Sequence, residues 1–222
     1  MQIGLIGGIG PAATDFYYRR LISTFAARKA PLELTIVHAD TPTLLNHLMT
    51  NAVDAQVEIY TRLTDRLVSA GAGCVVVTSI SGHFCIEAFK RASPLPVVDM
   101  IQEVRDAVAA RGIKRIGILG TRPVMQSRFY GGISSAEIIP PSGPDLEDVH
   151  AAYVTMAASG TVTPAQREVF HAVGRRLIAQ HGAEAIMLGG TDLALAFDAD
   201  LAPFPLIDCA AIHADAVVRL AL

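Results

Sequence analysis

Two short stretches carry side chains that could hold or protonate a small acid. Ser79-Ile80-Ser81-Gly82-His83 follows an apolar run that ends at Val77, and Gly189-Gly190-Thr191-Asp192-Leu193 follows another that ends at Leu188. Hydroxyls such as Ser79, Ser81 and Thr191, with the backbone amides of Gly-rich loops, suit recognition of a carboxylate. Thr121 adds a fourth hydroxyl beyond the run that ends at Gly120. Ser79 is read as a ligand contact, against the plainer role of a turn residue satisfying backbone groups. His83 is placed either to transfer a proton or to make a structural hydrogen bond near a helix start. Asp192 either orients a nearby donor or caps the next helix.

Other chemistries find less to work with. The three cysteines, Cys74, Cys85 and Cys209, are odd in number and widely separated, which fits reduced thiols and leaves neither a disulfide framework nor a CxxC metal site. Cys74 lies inside an apolar run and reads as core, and Cys209 as packing. Cys85 sits two residues beyond His83, on a different helical face, and is an outside candidate for a reactive thiol. The seven histidines are dispersed, so no metal site is expected. Gly7, Gly8 and Gly10 do not have GxGxxG spacing, and Asp40 alone follows the second strand, so a nucleotide site is not expected.

Those loops need a scaffold, and 222 residues with 51% hydrophobic and 18% charged content can build a large core. A net charge of -3 with scattered Lys and Arg gives no surface for nucleic acid or anionic membrane. The apolar runs are too short to cross a bilayer. The N-terminus enters a strand at once with no basic region before it, which predicts no secretory signal and a cytoplasmic location.

The chain also repeats itself. Ile3-Gly4-Leu5-Ile6-Gly7 recurs at 116–120, the stretch 71–79 at 182–190, and 95–99 at 204–208, each displaced by 109 to 113 residues. Strand-like runs at Ile3 to Ile6, Leu34 to Val37, Cys74 to Val77 and Val97 to Val98 alternate with helical periodicity. This predicts an α/β fold of two pseudosymmetric, doubly wound parallel-sheet domains arising from an internal duplication. The expected boundaries are 1–97 plus 208–222 for the first domain and 98–207 for the second. Ligands sit beyond the carboxyl ends of such strands, so the loops after Ile6, Val77, Leu119 and Leu188 are the expected site, in a cleft between the domains. Thr163-Pro164-Ala165-Gln166 predicts a capped helix start running to about His181, and a second helix is predicted from Met100 to Arg111-Gly112. Pro140-Pro141-Ser142-Gly143-Pro144 reads as a loop.

At these loops the sequence resembles the aspartate/glutamate racemase superfamily over essentially its whole length. Gly7-Gly8-Ile9-Gly10-Pro11-Ala12-Ala13-Thr14 resembles the opening GGMGPxAT. Ser79 to His83 stands where the family has CNTAH, Gly120 to Met125 with Phe129-Tyr130 resembles LLGTRxTM…FY, and Gly189 to Leu193 stands at GCTEL. The closing segment Ile207 to Ala214 is similar too. The resemblance implies an isomerase with no cofactor, commonly a homodimer, that acts on amino acids or other small carboxylates. Its two thiols move the α-proton, one as base and one as acid. Ser79 and Gly190 stand at those two positions, so racemisation is expected to be lost or altered. The positions matching substrate contacts are Ile9, Gly10, Leu48, Ile80, Ser81, Thr121, Val124 and Thr191, with Ile9, Leu48, Ile80 and Val124 less polar than the family's residues. The alternatives are a non-catalytic small-carboxylate binding protein, and a decarboxylase or lyase that uses the same cleft.

Overall fold

The computed structural model describes residues 1–197 and 202–222; the stretch 198–201, inside the expected second domain, lies outside the described residues. By its internal contacts the chain forms two compact units, Met1–Met100 with His213–Leu222, and Ile101–Ile212.

The first unit is built on a four-stranded sheet of β1 (Ile3–Gly7), β2 (Leu34–His38), β3 (Cys74–Val77) and β4 (Val97–Val98), in the order β2-β1-β3-β4. All its pairings are parallel, with Leu5 opposite Ile36 on one side and Val76 on the other. Its central strands β1 and β3 are buried along their whole length, which is why they read as unbroken apolar runs rather than alternating ones. Helices α1 (Pro11–Ala27), α2 (Thr41–Met49), α3 (Val53–Ser69) and α4 (Ile86–Ala92) connect the strands. Successive residues of a strand face opposite sides of the sheet. A Cβ added at Gly4 would lie 2.8 Å from Leu67 on α3, and one at Gly7 2.5 Å from the hydroxyl of Thr14 on α1. Gly4 and Gly7 fall on opposite faces, so α3 and α1 cover the two sides of the sheet.

The second unit repeats the plan. β5 (Arg115–Gly120), β6 (Glu137–Ile139), β7 (Ala185–Gly189) and β8 (Leu206–Asp208) form a parallel sheet in the order β6-β5-β7-β8. It is flanked by α6 (Arg122–Gln126), α7 (Pro144–Ser159) and α8 (Pro164–His181). Gly117, the counterpart of Gly4, is crowded in a similar way, with an added Cβ 2.6 Å from Ile186 of β7 and 3.0 Å from the Leu177 Cβ of α8. In both halves the repeated glycine leaves room for a helix leucine seated on the middle of the sheet. The remaining helices, α5 (Met100–Arg111) and α9 (Cys209–Ala221), carry the chain from one unit to the other.

The predicted start of α8 is present in full: Thr163 accepts from the Gln166 backbone, the Gln166 side chain accepts from the Thr163 backbone, and Gly182 ends the helix at φ 66°. The proline-rich loop is shorter than expected, because Pro144 is the first residue of α7 rather than part of the loop. Proline is tolerated there since that N–H has no partner within the helix. Among the described residues no helix is long and apolar enough to cross a membrane, and no cluster of His, Cys, Asp or Glu could hold a metal ion.

Candidate functional site

In each sheet the connections reverse direction beside the first strand, so the crevice opens between β1 and β3 in one unit and between β5 and β7 in the other. Loops at the carboxyl ends of such strand pairs are where ligands bind in open parallel sheets. Most of the candidate residues stand on these four loops.

After β1, Gly8 accepts a hydrogen bond at its carbonyl from the Thr41 hydroxyl, Ile9 is half-buried, and Gly10 stands at φ 80° just before α1. Thr14 on α1 shares a 3.1 Å hydrogen bond with Thr78, whose hydroxyl also lies 3.2 Å from the Ile6 carbonyl. This pair ties the first turn of α1 to the loop after β3. Ser79, Ile80, Ser81 and His83 are all buried in the second of these loops and the 3-10 turn Ser81–Cys85 that follows. Leu48 stands apart from them: it is on the last turn of α2 and not on a loop, because Asp40 caps α2 early by accepting from the Thr43 backbone and hydroxyl. That capping role also accounts for the acidic residue after β2.

His83 makes the structural bond. Its Nδ1 lies 2.7 Å from the Ser79 carbonyl, which can only accept, so the proton is on Nδ1 and Nε2 carries a lone pair. Nε2 is buried with no hydrogen-bond partner among the described residues. Burial holds the ring's pKa below the ordinary histidine value, with the Ser79 carbonyl and Asp99 opposing. The result is a neutral imidazole with a free acceptor nitrogen. Beneath it, 5.8 Å away edge to face, lies His213, which donates from Nε2 to the Val98 carbonyl at 2.9 Å and accepts at Nδ1 from the Tyr17 hydroxyl at 2.7 Å. Tyr17 and His213 were invisible as site residues from spacing alone, since they are 196 positions apart. The likeness of the closing segment, Ile207 to Ala214, to the family's was the one available signal, and it covers His213 alone.

In the second unit Thr121 precedes α6 with its hydroxyl buried and unpartnered among the described residues, and Val124 is fully buried. The Arg122 backbone N–H donates to Nδ1 of His150 on α7 at 3.2 Å. Beyond β7, Gly190 is extended, and Thr191 and Asp192 are buried in the 3-10 turn Thr191–Leu195. Asp192 takes the orienting role rather than capping an α-helix: its Oδ2 accepts from the hydroxyl of Tyr153 at 2.9 Å. Tyr153, on α7, is the residue that sequence reasoning missed here.

No thiol in the chain is poised to react. Cys74, Cys85 and Cys209 are free and buried. Burial raises the Cys74 thiol, pushes that of Cys85 up to about 12, and with the nearby Asp208 drives Cys209 well above its usual value. Cys85 is the nearest in sequence to the Ser79 loop, and its sulfur points at the Gly82 carbonyl at 3.7 Å.

Comparison with known structures finds the same architecture at full length. A candidate Asp/Glu racemase from Yersinia pestis is 28% identical, with a TM-score of 0.85 over 100% of this chain and 99% of its own. An aspartate racemase homologue from Pyrococcus horikoshii is 23% identical, with a TM-score of 0.83 over 99% and 98%. The glutamate racemase of Francisella tularensis, in complex with D-glutamate, is 15% identical, with a TM-score of 0.69 over 99% and 80%. The sequence itself matches the profile of the Asp/Glu/Hydantoin racemase family over residues 6–217, a range that takes in all four strand-end loops. With two parallel sheets of matching order and that match across both, the chain belongs to the Asp/Glu/Hydantoin racemase family.

Proposed function

We propose that this protein is a racemase-like isomerase by descent that takes a small carboxylate or amino acid at its strand-end loops, and that no thiol moves a proton in it. The observation that carries this reading is the state of the thiols: residues 79 and 190 are Ser and Gly, and all three cysteines are buried with raised pKa values. An alkoxide at Ser79 is not accessible near neutral pH without an activating base, and the His83 ring bonds the Ser79 carbonyl rather than its hydroxyl. What the loops do offer is hydrogen bonding to an anion, from Ser79, Ser81, Thr121, Thr191 and neighbouring backbone amides. The same observation favours a second reading, a binding protein that has kept the acid-holding loops and dropped the proton shuttle. The protein acts without a cofactor and as a homodimer on either reading, as the family resemblance implies.

The test is α-proton exchange of aspartate and glutamate in deuterated water, followed by NMR alongside saturation-transfer binding. The expected result is binding, weakened by Ser79→Ala, with no catalysed loss of the α-proton. Rapid exchange by the unaltered chain would overturn the reading. Restoring two thiols needs three changes, Ser79→Cys, Gly190→Cys and Tyr153→Ala, because Tyr153 fills the space over residue 190.

A further inference from the structure

Any side chain at residue 190 would have to share its space with Tyr153. A Cβ added there would lie 2.6 Å from both Cζ and the hydroxyl oxygen of Tyr153, a separation that real side chains do not tolerate. Tyr153 is held in that place from two directions. Its backbone is in the middle of α7, and its hydroxyl donates to Asp192 on the turn that follows Gly190. The residue is only 6% exposed. A large ring has thus been brought over a position that only glycine leaves open, at the carboxyl end of β7.

The pair has a definite chemical character. Burial first, and then the charge of Asp192, push the Tyr153 pKa well above its ordinary value, so the phenol is neutral and is no base. With its proton directed at the Asp192 carboxylate and the Asp192 backbone N–H bonded to its oxygen, the phenol keeps one lone pair for a donor on the ligand. The carboxylate behind it makes the spot negative. Such a pair welcomes an N–H or O–H donor, an ammonium above all, and disfavours an additional carboxylate.

We propose that Tyr153 is a specificity-determining residue: its ring fills the space of the absent side chain at 190 and its Asp192-held hydroxyl selects carboxylates that carry an amino group over those that lack one. This rests on the reading above that the strand-end loops bind small carboxylates.

The experiment compares matched pairs, aspartate against succinate and glutamate against glutarate, by titration calorimetry on the full chain. In parallel, NMR of the chain labelled at the tyrosine ring Cζ follows its five tyrosines. The unaltered protein is expected to favour the amino acid of each pair by about tenfold, the size of one hydrogen bond to a charged group. Tyr153→Phe, which keeps the ring, should reduce that preference to within about twofold. Its missing resonance should be the one that aspartate moves most. Asp192→Asn keeps a hydrogen-bond acceptor without the charge, and should lower the preference even if Tyr153→Phe does not fold. Thr191→Ala, next to Asp192, should weaken both members of a pair alike. Preference retained in both Tyr153→Phe and Asp192→Asn, or an unmoved Tyr153 resonance, overturns this inference and leaves the carboxylate reading standing. Failure of all four acids to bind the unaltered chain overturns the carboxylate reading itself and this inference with it.

Discussion

His213 is a fully buried imidazole with both nitrogens committed, one to the Val98 carbonyl and one to the Tyr17 hydroxyl. A proton on Nδ1 would force the Tyr17 hydroxyl to turn from donor to acceptor and put a charge in the core. Burial, followed by repulsion from His83, accordingly lowers its pKa to about 3. In the unfolded chain the same histidine titrates near its ordinary value of roughly 6.5. Between those two values the unfolded state binds a proton that the folded state refuses, so stability is complete above the upper value and falls as pH falls toward the lower one. The lowered pKa of His83 works in the same direction. Urea midpoints measured from pH 7.5 down to 4.5 should therefore decline, and His213→Gln should flatten the slope. A slope unchanged by that substitution would assign the acid sensitivity to other groups. At pH 7.5, Tyr17→Phe should cost about 1–3 kcal/mol, because the buried Nδ1 of His213 loses its donor.

At the scale of elements, the turn after α6 departs from what local sequence suggests. Arg128, Phe129 and Tyr130 all have left-handed backbone, at φ 53°, 58° and 56°, and Gly131 continues at 67°. For residues with a Cβ this costs roughly 1–2 kcal/mol each, so the conformation must be imposed by packing. Phe129 supplies it, being fully buried, while Arg128 is exposed. Arg128→Gly should then raise stability by about 0.5–1 kcal/mol, the relief of strain less the added entropy of a glycine in the unfolded chain. A loss of stability in urea titration would show that the turn is not strained at 128. The contrast with α8 explains what a sequence discloses. Thr163, Pro164, Gln166 and Gly182 act on their own backbone neighbours, so their spacing alone announces the helix. The left-handed turn depends on where Phe129 is buried, a contact not written in local spacing, whereas the α2 start at Asp40 and Thr43, which places Leu48 in a helix, is as local as that of α8.

At the scale of the whole molecule, repetition made the architecture readable. Three echoes in the same order fall on β1 and β5, β3 and β7, and β4 and β8, and they bring with them the glycines that seat Leu67 and Leu177. The strand-end loops followed from the same pattern, because the carboxyl ends of buried parallel strands are fixed once the strands are. Tyr17, His213 and Tyr153 were not readable, since each meets its partner only after the chain has folded, across 196 and 39 positions. The thiols show the same limit: Cys74 is core, as its apolar surroundings announce, but the state of Cys85 depends on burial that its helical phase does not reveal. Cys74 and Cys85 report on the first unit and Cys209 on the second, so alkylation tests both at once. Because the thiolate is the reactive form and each thiol is buried with a raised pKa, iodoacetamide at pH 7.5 should leave all three unmodified in the native chain and modify all three in denaturant. Mass spectrometry after graded exposure counts the adducts, and aspartate binding measured on the same samples should be unchanged. Rapid native labelling of Cys85 with parallel loss of binding would place a working thiol beside the Ser79 loop, and the thiol-free account of this protein would fall.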